Sequence, residues 1–197
     1  MCDPAAPRII LASTSTYRRE LLARLRLPFE AVAPGCDEHR QPDEPAQALA
    51  LRLAQLKAET VAARHPGSVV IGSDQVAVRG TEILGKPGTV ERCTAQLQQS
   101  AGHEVVFLTA VHVVDGRNAR AESHVDHTVV RFRTLGVDEI ARYIAADAPL
   151  DCAGGFKAES LGIGLFDRIE SSDPTALTGL PLIWVSAALR RAGIPVP

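Results

Sequence analysis

A chain of 197 residues, 46% of them hydrophobic, is long enough to bury one sizeable core, and no linker or low-complexity tail divides it, so residues 1–197 are read as a single domain. A formal net charge of −2 gives neither the basic field that tracks nucleic acid nor a polybasic membrane anchor; any phosphate ligand has to be held by local charge. The opening "MCDPAAPR" sets an acid and two prolines before the first apolar run, so no signal peptide is expected there, and no apolar stretch reaches spanning length. A cytoplasmic protein with no membrane or nucleic-acid partner is expected. Cys2, Cys36, Cys93 and Cys152 lack paired spacing, so they read as reduced packing thiols, with neither a disulfide framework nor a zinc site.

In chain order, "RIILAS" has strand length and runs into "TSTYRRELLARLRL", where Tyr17, Leu21 and Leu25 recur at helical spacing behind hydroxyl residues able to cap. "EPAQALALRLAQLKAETVAARH" predicts a long helix with Leu49, Leu53 and Leu56 on one face, ending before His-Pro-Gly. "SVVIGSDQVAV" reads as a buried strand broken at Gly72. A helix is expected at "TVERCTAQLQQSA", then a strand at "EVVFLTAVHVVDG", an Asp-Gly turn, and an alternating partner strand at "ESHVDHTVVRFRTL". "GVDEIARYIAAD" predicts a helix and "CAGGFKAESLGIGLFDRIES" a glycine-punctuated loop and strand. The closing helix "LPLIWVSAALRRAG" has Pro181 in its first turn and Gly193 as its stop. The sum is an α/β protein with a mixed, strongly twisted sheet flanked by helices.

Four places put charge where burial or close backbone approach is expected. "LASTSTYRR" is a strand, a small-residue turn and a helix start, a geometry whose unpaired N–H groups favour an anion; Ser13, Ser15, Arg18 and Arg19 are at hand, and plain capping beside a solvated arginine pair competes with that reading. Lys57 falls on the apolar stripe of its helix, four residues after Leu53, which means either a snorkelling stem or an ammonium aimed at an anion. Asp74 interrupts a buried strand in "GSDQV", where a carboxylate needs a ligand, a metal or a hydrogen-bonded partner. "GTEILGKPGT", residues 80–89, matches G-x-x-x-x-G-K, yet Pro87 stands where a P-loop needs a hydroxyl for magnesium and an N–H for phosphate. The P-loop is therefore rejected, and Lys86 is kept as a phosphate cation. "HVDH" at 124–127 alternates faces on a strand and reads as a solvent-facing edge, since three ligands would not converge.

Taken together, "LASTSTYRRELL", "DEH" at 37–39, "RLAQLKAE", "GSDQV", "LGKP", "CAGGFKAESLGIGLF" and "TGLPL" resemble, in order and over nearly the whole chain, the Maf family of nucleoside triphosphate pyrophosphatases. Within it, "GSDQV" and "FKAES" look like the branch that hydrolyses 7-methyl-GTP. The resemblance implies two lobes with a deep cleft between them, a divalent metal (Mg²⁺ or Mn²⁺), a small nucleotide substrate and a homodimer. It makes Asp74 the proton acceptor and a metal ligand beside Glu38, with Lys57 and Lys86 catalytic and Ser13 and Arg18 on phosphate. Tyr17, Gln75 and Glu159 then match the positions that choose the base. Thr16 departs from the family's "S-T-S-P", and its hydroxyl is expected to cap the turn that proline would preset. Two alternatives stay open: a pyrophosphatase for another standard or modified nucleotide, and a nucleotide-binding regulator of cell division.

Overall fold

The computed structural model of the chain describes residues 7–196; Cys2, expected to be a reduced thiol, lies outside them. Cys36 and Cys93 are reduced thiols, as expected. The strands are β1 (Ile9–Ala12), β2 (Phe29–Ala31), β3 (Val69–Arg79), β4 (Glu82–Leu84), β5 (Glu104–Asp115), β6 (Arg120–Phe132) and β7 (Phe166–Glu170). The helices are α1 (Thr16–Ala23), α2 (Ala46–Arg64), α3 (Val90–Ser100), α4 (Val137–Asp147) and α5 (Leu182–Arg191), with short 3-10 segments at Ala153–Gly155, Leu161–Leu165 and Ala176–Thr178. The sheet runs β2-β1-β3-β5-β6-β7, with β4 paired to β3. β1 pairs in parallel with β2 and β3, while β3–β4 and β6–β7 are antiparallel, which makes it the mixed sheet that the patterns required. No helix among the described residues is long and apolar enough to cross a membrane.

The chain forms two compact units. One holds the described residues up to Asp74, Thr109–Asp126 and the segment from Asp173 onward; the other holds Gln75–Leu108 and His127–Ser172. In the first, Ile9, Leu11, Val69, Ile71 and Val111 of the strands pack against Leu21 and Leu22 of α1 and Val185 and Leu189 of α5. The opposite sheet face, at Ile10, Ala12 and Val70, meets Ala58 and Val61 of α2. This two-faced burial explains the near-continuous apolar runs of β1 and β3, each side chain so buried contributing about 1.5–3 kcal/mol. In the second unit, Phe107, Phe132, Phe156 and Phe166 form an edge-to-face cluster with centroids 4.8–5.5 Å apart.

Several expectations are corrected. β3 runs unbroken through Gly72, Ser73 and Asp74; the glycine there answers a close helix, not a chain break. On α2, Leu56 is only half-buried, and the inward stripe is Leu49, Ala50, Leu53, Ala54, Lys57, Ala58 and Val61. Pro181 is the N-cap of α5, just outside its first turn. β2 and β4, three residues each, carry too little periodicity to be seen in the sequence.

Candidate active site

The turn from β1 into α1 is built from small hydroxyl residues. Ala12 is the parallel partner of Gly72, so Ser13 leaves β1 beside the Ser73–Asp74 stretch of β3. Ser13 is buried, its N–H reaches the Leu11 carbonyl at 2.9 Å, and its Oγ accepts the Ser15 N–H at 3.1 Å. Ser15 caps α1 by accepting the Arg18 N–H at 3.3 Å. Thr16 is thus the first helical residue and not the cap, because the residue before it already has the extended backbone that capping requires.

Arg18 is half-buried in the first turn of α1, one residue after the half-buried Tyr17. Its Nε donates to the Gly179 carbonyl at 2.9 Å. Burial pulls the guanidinium's pKa down, and the Asp74 and then Glu38 carboxylates pull it partly back up. Arginine stays charged regardless, so the outcome is a partly dehydrated cation, which gains more from an anion than a hydrated one does.

Lys57 answers the question its position raised. A Cβ at Gly72 would lie 2.3 Å from the Ala54 carbonyl oxygen and 2.6 Å from the Ala58 nitrogen, so only glycine lets α2 pack this close to β3. That approach delivers the lysine between those alanines to the carboxylate two residues beyond the glycine. Lys57 Nζ is 2.6 Å from Asp74 Oδ1 and 2.7 Å from Glu38 Oε2. The lysine side chain is 6% exposed, Asp74 13% and Glu38 50%, so the pair with Asp74 is buried and the pair with Glu38 opens to water. With Arg18 nearby, two positive and two negative charges cancel, which keeps such a cluster affordable in a low-dielectric setting.

Glu38 sits in the strandless segment between β2 and α2, and that segment is clamped. Arg52 of α2 grips the buried Glu44 carboxylate through Nε at 2.6 Å and a terminal amino group at 2.8 Å, and also donates to the His39 carbonyl at 3.0 Å. The Gln41 N–H adds a 3.1 Å bond to Glu44. Glu44 is held down to a pKa of about 2, chiefly by its hydrogen bonds with Arg52. Nearby, burial and then the Glu38 carboxylate push the Cys36 thiol up, so it stays protonated at neutral pH. Ser73, fully buried, has its Oγ 2.8 Å from the Ala110 carbonyl oxygen and 2.9 Å from that of Gly179.

The other expected residues lie in the second unit. Gln75 is half-buried and follows Asp74 on β3, on the opposite strand face. Lys86 is exposed just after β4, beside the buried Pro87, and makes no ion pair among the described residues. Glu159 is exposed on the turn between two 3-10 segments. In "HVDH", His127 is exposed as an edge residue should be, but Asp126 is buried and His124 stacks on Trp184 at 5.5 Å, because the first unit covers that end of β6 with α5.

A family model described as Maf-like protein matches residues 8–192. The chain belongs to the Maf family. This Maf chain is 55% identical over 191 residues to a protein of Xanthomonas campestris pv. campestris named 7-methyl-GTP pyrophosphatase, covering 97% of this chain and 99% of that one. A protein of the same name from Alkalilimnicola ehrlichii is 53% identical over 190 residues, with 96% of each chain covered. Among solved structures, that of the Staphylococcus aureus Ham1 protein superposes with a TM-score of 0.53 at 14% identity, covering 94% of this chain and 99% of that one, a likeness of fold.

For a metal, the Maf chain offers two carboxylates. No group of three or more His, Cys, Asp and Glu residues among those described is arranged to hold an ion. Asp74 Oδ1 and Glu38 Oε2, however, already share one cationic partner, and two hard oxygen donors completed by water and phosphate suit the shell that Mg²⁺ prefers. Sequence reasoning missed Ser73, Gly179, Glu44 and Arg52. The "TGLPL" run was the one available signal for Gly179; nothing in the sequence marks the Glu44–Arg52 clamp, which joins a segment without periodicity to a helix.

Proposed function

We propose that this chain is a nucleoside triphosphate pyrophosphatase that hydrolyses 7-methyl-GTP to 7-methyl-GMP and pyrophosphate, and so removes a modified nucleotide from the cytoplasmic pool as a homodimer. The observation that carries this reading is the Lys57 ammonium bridging Asp74 and Glu38 beside the Arg18 guanidinium. The base is suggested by relatives more than half identical that bear that enzyme's name.

A triphosphate repels a nucleophile, so cations must stand at its oxygens before water can approach. Arg18 and Lys57 take that task with Lys86, and Ser13 adds a hydroxyl. Water oxygen attacks the α-phosphorus, the α–β bridging bond breaks, its electron pair leaves on pyrophosphate, and Asp74 accepts the water's proton. A divalent ion held by Asp74 and Glu38 supplies Lewis acidity toward the phosphates when bound. Lys57 holds both carboxylates in place until then.

For the base, N7-methylation leaves guanine cationic, which favours an aromatic face and a carboxylate. Tyr17 fits the first role, a cation–π contact of about 2 kcal/mol when desolvated. Glu159 fits the second by accepting from the guanine ring N–H and amino group, and Gln75 reads a carbonyl. Pyrophosphate release across a nucleotide panel with Mg²⁺ or Mn²⁺ tests the reading. A preference for 7-methyl-GTP supports it; equal rates on all bases would limit it to a general pyrophosphatase.

A further inference from the structure

One backbone oxygen stands between the arginine of α1 and the strand of Asp74. The Gly179 carbonyl oxygen accepts Arg18 Nε–H at 2.9 Å and lies 2.9 Å from Ser73 Oγ, the side chain next to Asp74 on β3. The Ser73 hydroxyl has one proton to share between this oxygen and that of Ala110, so Gly179 is tethered to β3 from one side and to Arg18 from the other.

Gly179 has φ +111° and ψ 7°, a backbone conformation that a residue with a Cβ adopts only under strain. A Cβ there would meet Arg18 Nε at 3.4 Å and its Cγ at 3.6 Å, ordinary van der Waals contact, so the backbone conformation is what calls for glycine. The segment carrying it is fixed by the buried Asp173, which accepts the Thr175 N–H at 2.9 Å and the Ile183 N–H at 2.7 Å, while Thr175 Oγ1 accepts the Leu182 N–H at 2.9 Å.

We infer that Gly179 is the positioning residue for Arg18: its carbonyl occupies Nε and turns the guanidinium so that both terminal amino groups face a polyphosphate chain. Nε is the only Arg18 side-chain donor with a hydrogen bond among the described residues, which leaves the planar pair of amino groups for bidentate contact with phosphate oxygens. Lysine at this position would lack the Nε–H and lose the orientation while keeping the charge. The inference rests on Arg18 as a phosphate-binding cation and does not need turnover.

The test is a double-mutant cycle on the full chain, reading tripolyphosphate affinity by titration calorimetry for wild type, Gly179→Ala, Arg18→Ala and the double variant. Each single change is expected to weaken binding about tenfold to a hundredfold, and the double to match Arg18→Ala within about twofold. Multiplying effects would make Gly179 a structural residue and overturn the proposal, as would unchanged binding in Gly179→Ala or no binding by wild type. Should Gly179→Ala fail to fold, NMR of ¹⁵N-labelled wild type decides: a slowly exchanging arginine Nε–H that disappears in Arg18→Lys supports the proposal, and its absence refutes it. If the cycle couples but no nucleoside triphosphate is cleaved, the proposed function falls and the positioning role stands. Cleavage with an uncoupled cycle gives the reverse.

Discussion

Replacing Gly72 by alanine strikes the contact that links the fold to its candidate chemistry. The new methyl would stand 2.3 Å from the Ala54 carbonyl oxygen, against the roughly 3.3 Å that a carbon–oxygen contact tolerates, so α2 must withdraw from β3 by about 1 Å. The Ala58 nitrogen at 2.6 Å and its Cβ at 2.9 Å push the same way. Lys57 Nζ, now 2.6 Å from Asp74, would move to about 3.6 Å, beyond hydrogen-bond reach. Overpacking costs about 1–3 kcal/mol, and a pair stretched to about 3.6 Å is still within ion-pair distance, so the variant should lose about 1–3 kcal/mol. At about 2–4 °C per kcal/mol for a chain of this size, the melting temperature should fall by more than about 2 °C. Displacing the cation by that distance should also cut kcat/KM about a hundredfold. Circular dichroism melts beside pyrophosphate release measure both, with Gly85→Ala, whose methyl meets nothing within 4 Å, as the thermal control. A Gly72→Ala variant that melts within about 2 °C of wild type would refute the packing argument.

Acid should loosen the clamp on the Glu38 segment. Glu44 has a folded pKa of about 2 against an ordinary 4.5, so its contribution is complete above pH 4.5 and is lost as pH falls from there toward 2. Urea midpoints taken over that window should decline less steeply in Glu44→Gln, and parallel curves would remove Glu44 from the acid response. Glu159→Gln should lower the preference for 7-methyl-GTP over GTP by about tenfold in kcat/KM, since an amide does not favour the cationic ring; an unchanged ratio would rule out the carboxylate as the reader of charge.

How much was legible depended on the range over which the physics acts. Helices α1 to α5 and the long strands follow from periodicity and caps, which are local. Lys57 on an apolar stripe and Asp74 in a buried strand were visible for the same reason: each violates a local pattern that only a partner can excuse. That they are each other's partner was not visible, because the link is the approach of α2 to β3 through Gly72, which from sequence looked like a break. The Gly179–Arg18 bond joins residues 161 apart, and the Glu44–Arg52 clamp depends on the path of an irregular segment. Neither leaves a periodic trace. The Ser15 cap was lost for a smaller reason: several hydroxyls in a row make the capping residue ambiguous by one position.

In the proposed mechanism Asp74, held by Lys57 and joined by Glu38, takes the proton of the water that cleaves the α–β bond. Its most direct test is single-turnover pyrophosphate release from 7-methyl-GTP with Mn²⁺ by wild type and Asp74→Asn. The expected result is metal-dependent release by wild type and a loss of about a hundredfold to ten-thousandfold in the variant, with the released phosphates being 7-methyl-GMP and pyrophosphate. Full turnover by Asp74→Asn, or orthophosphate and 7-methyl-GDP as products, would contradict it.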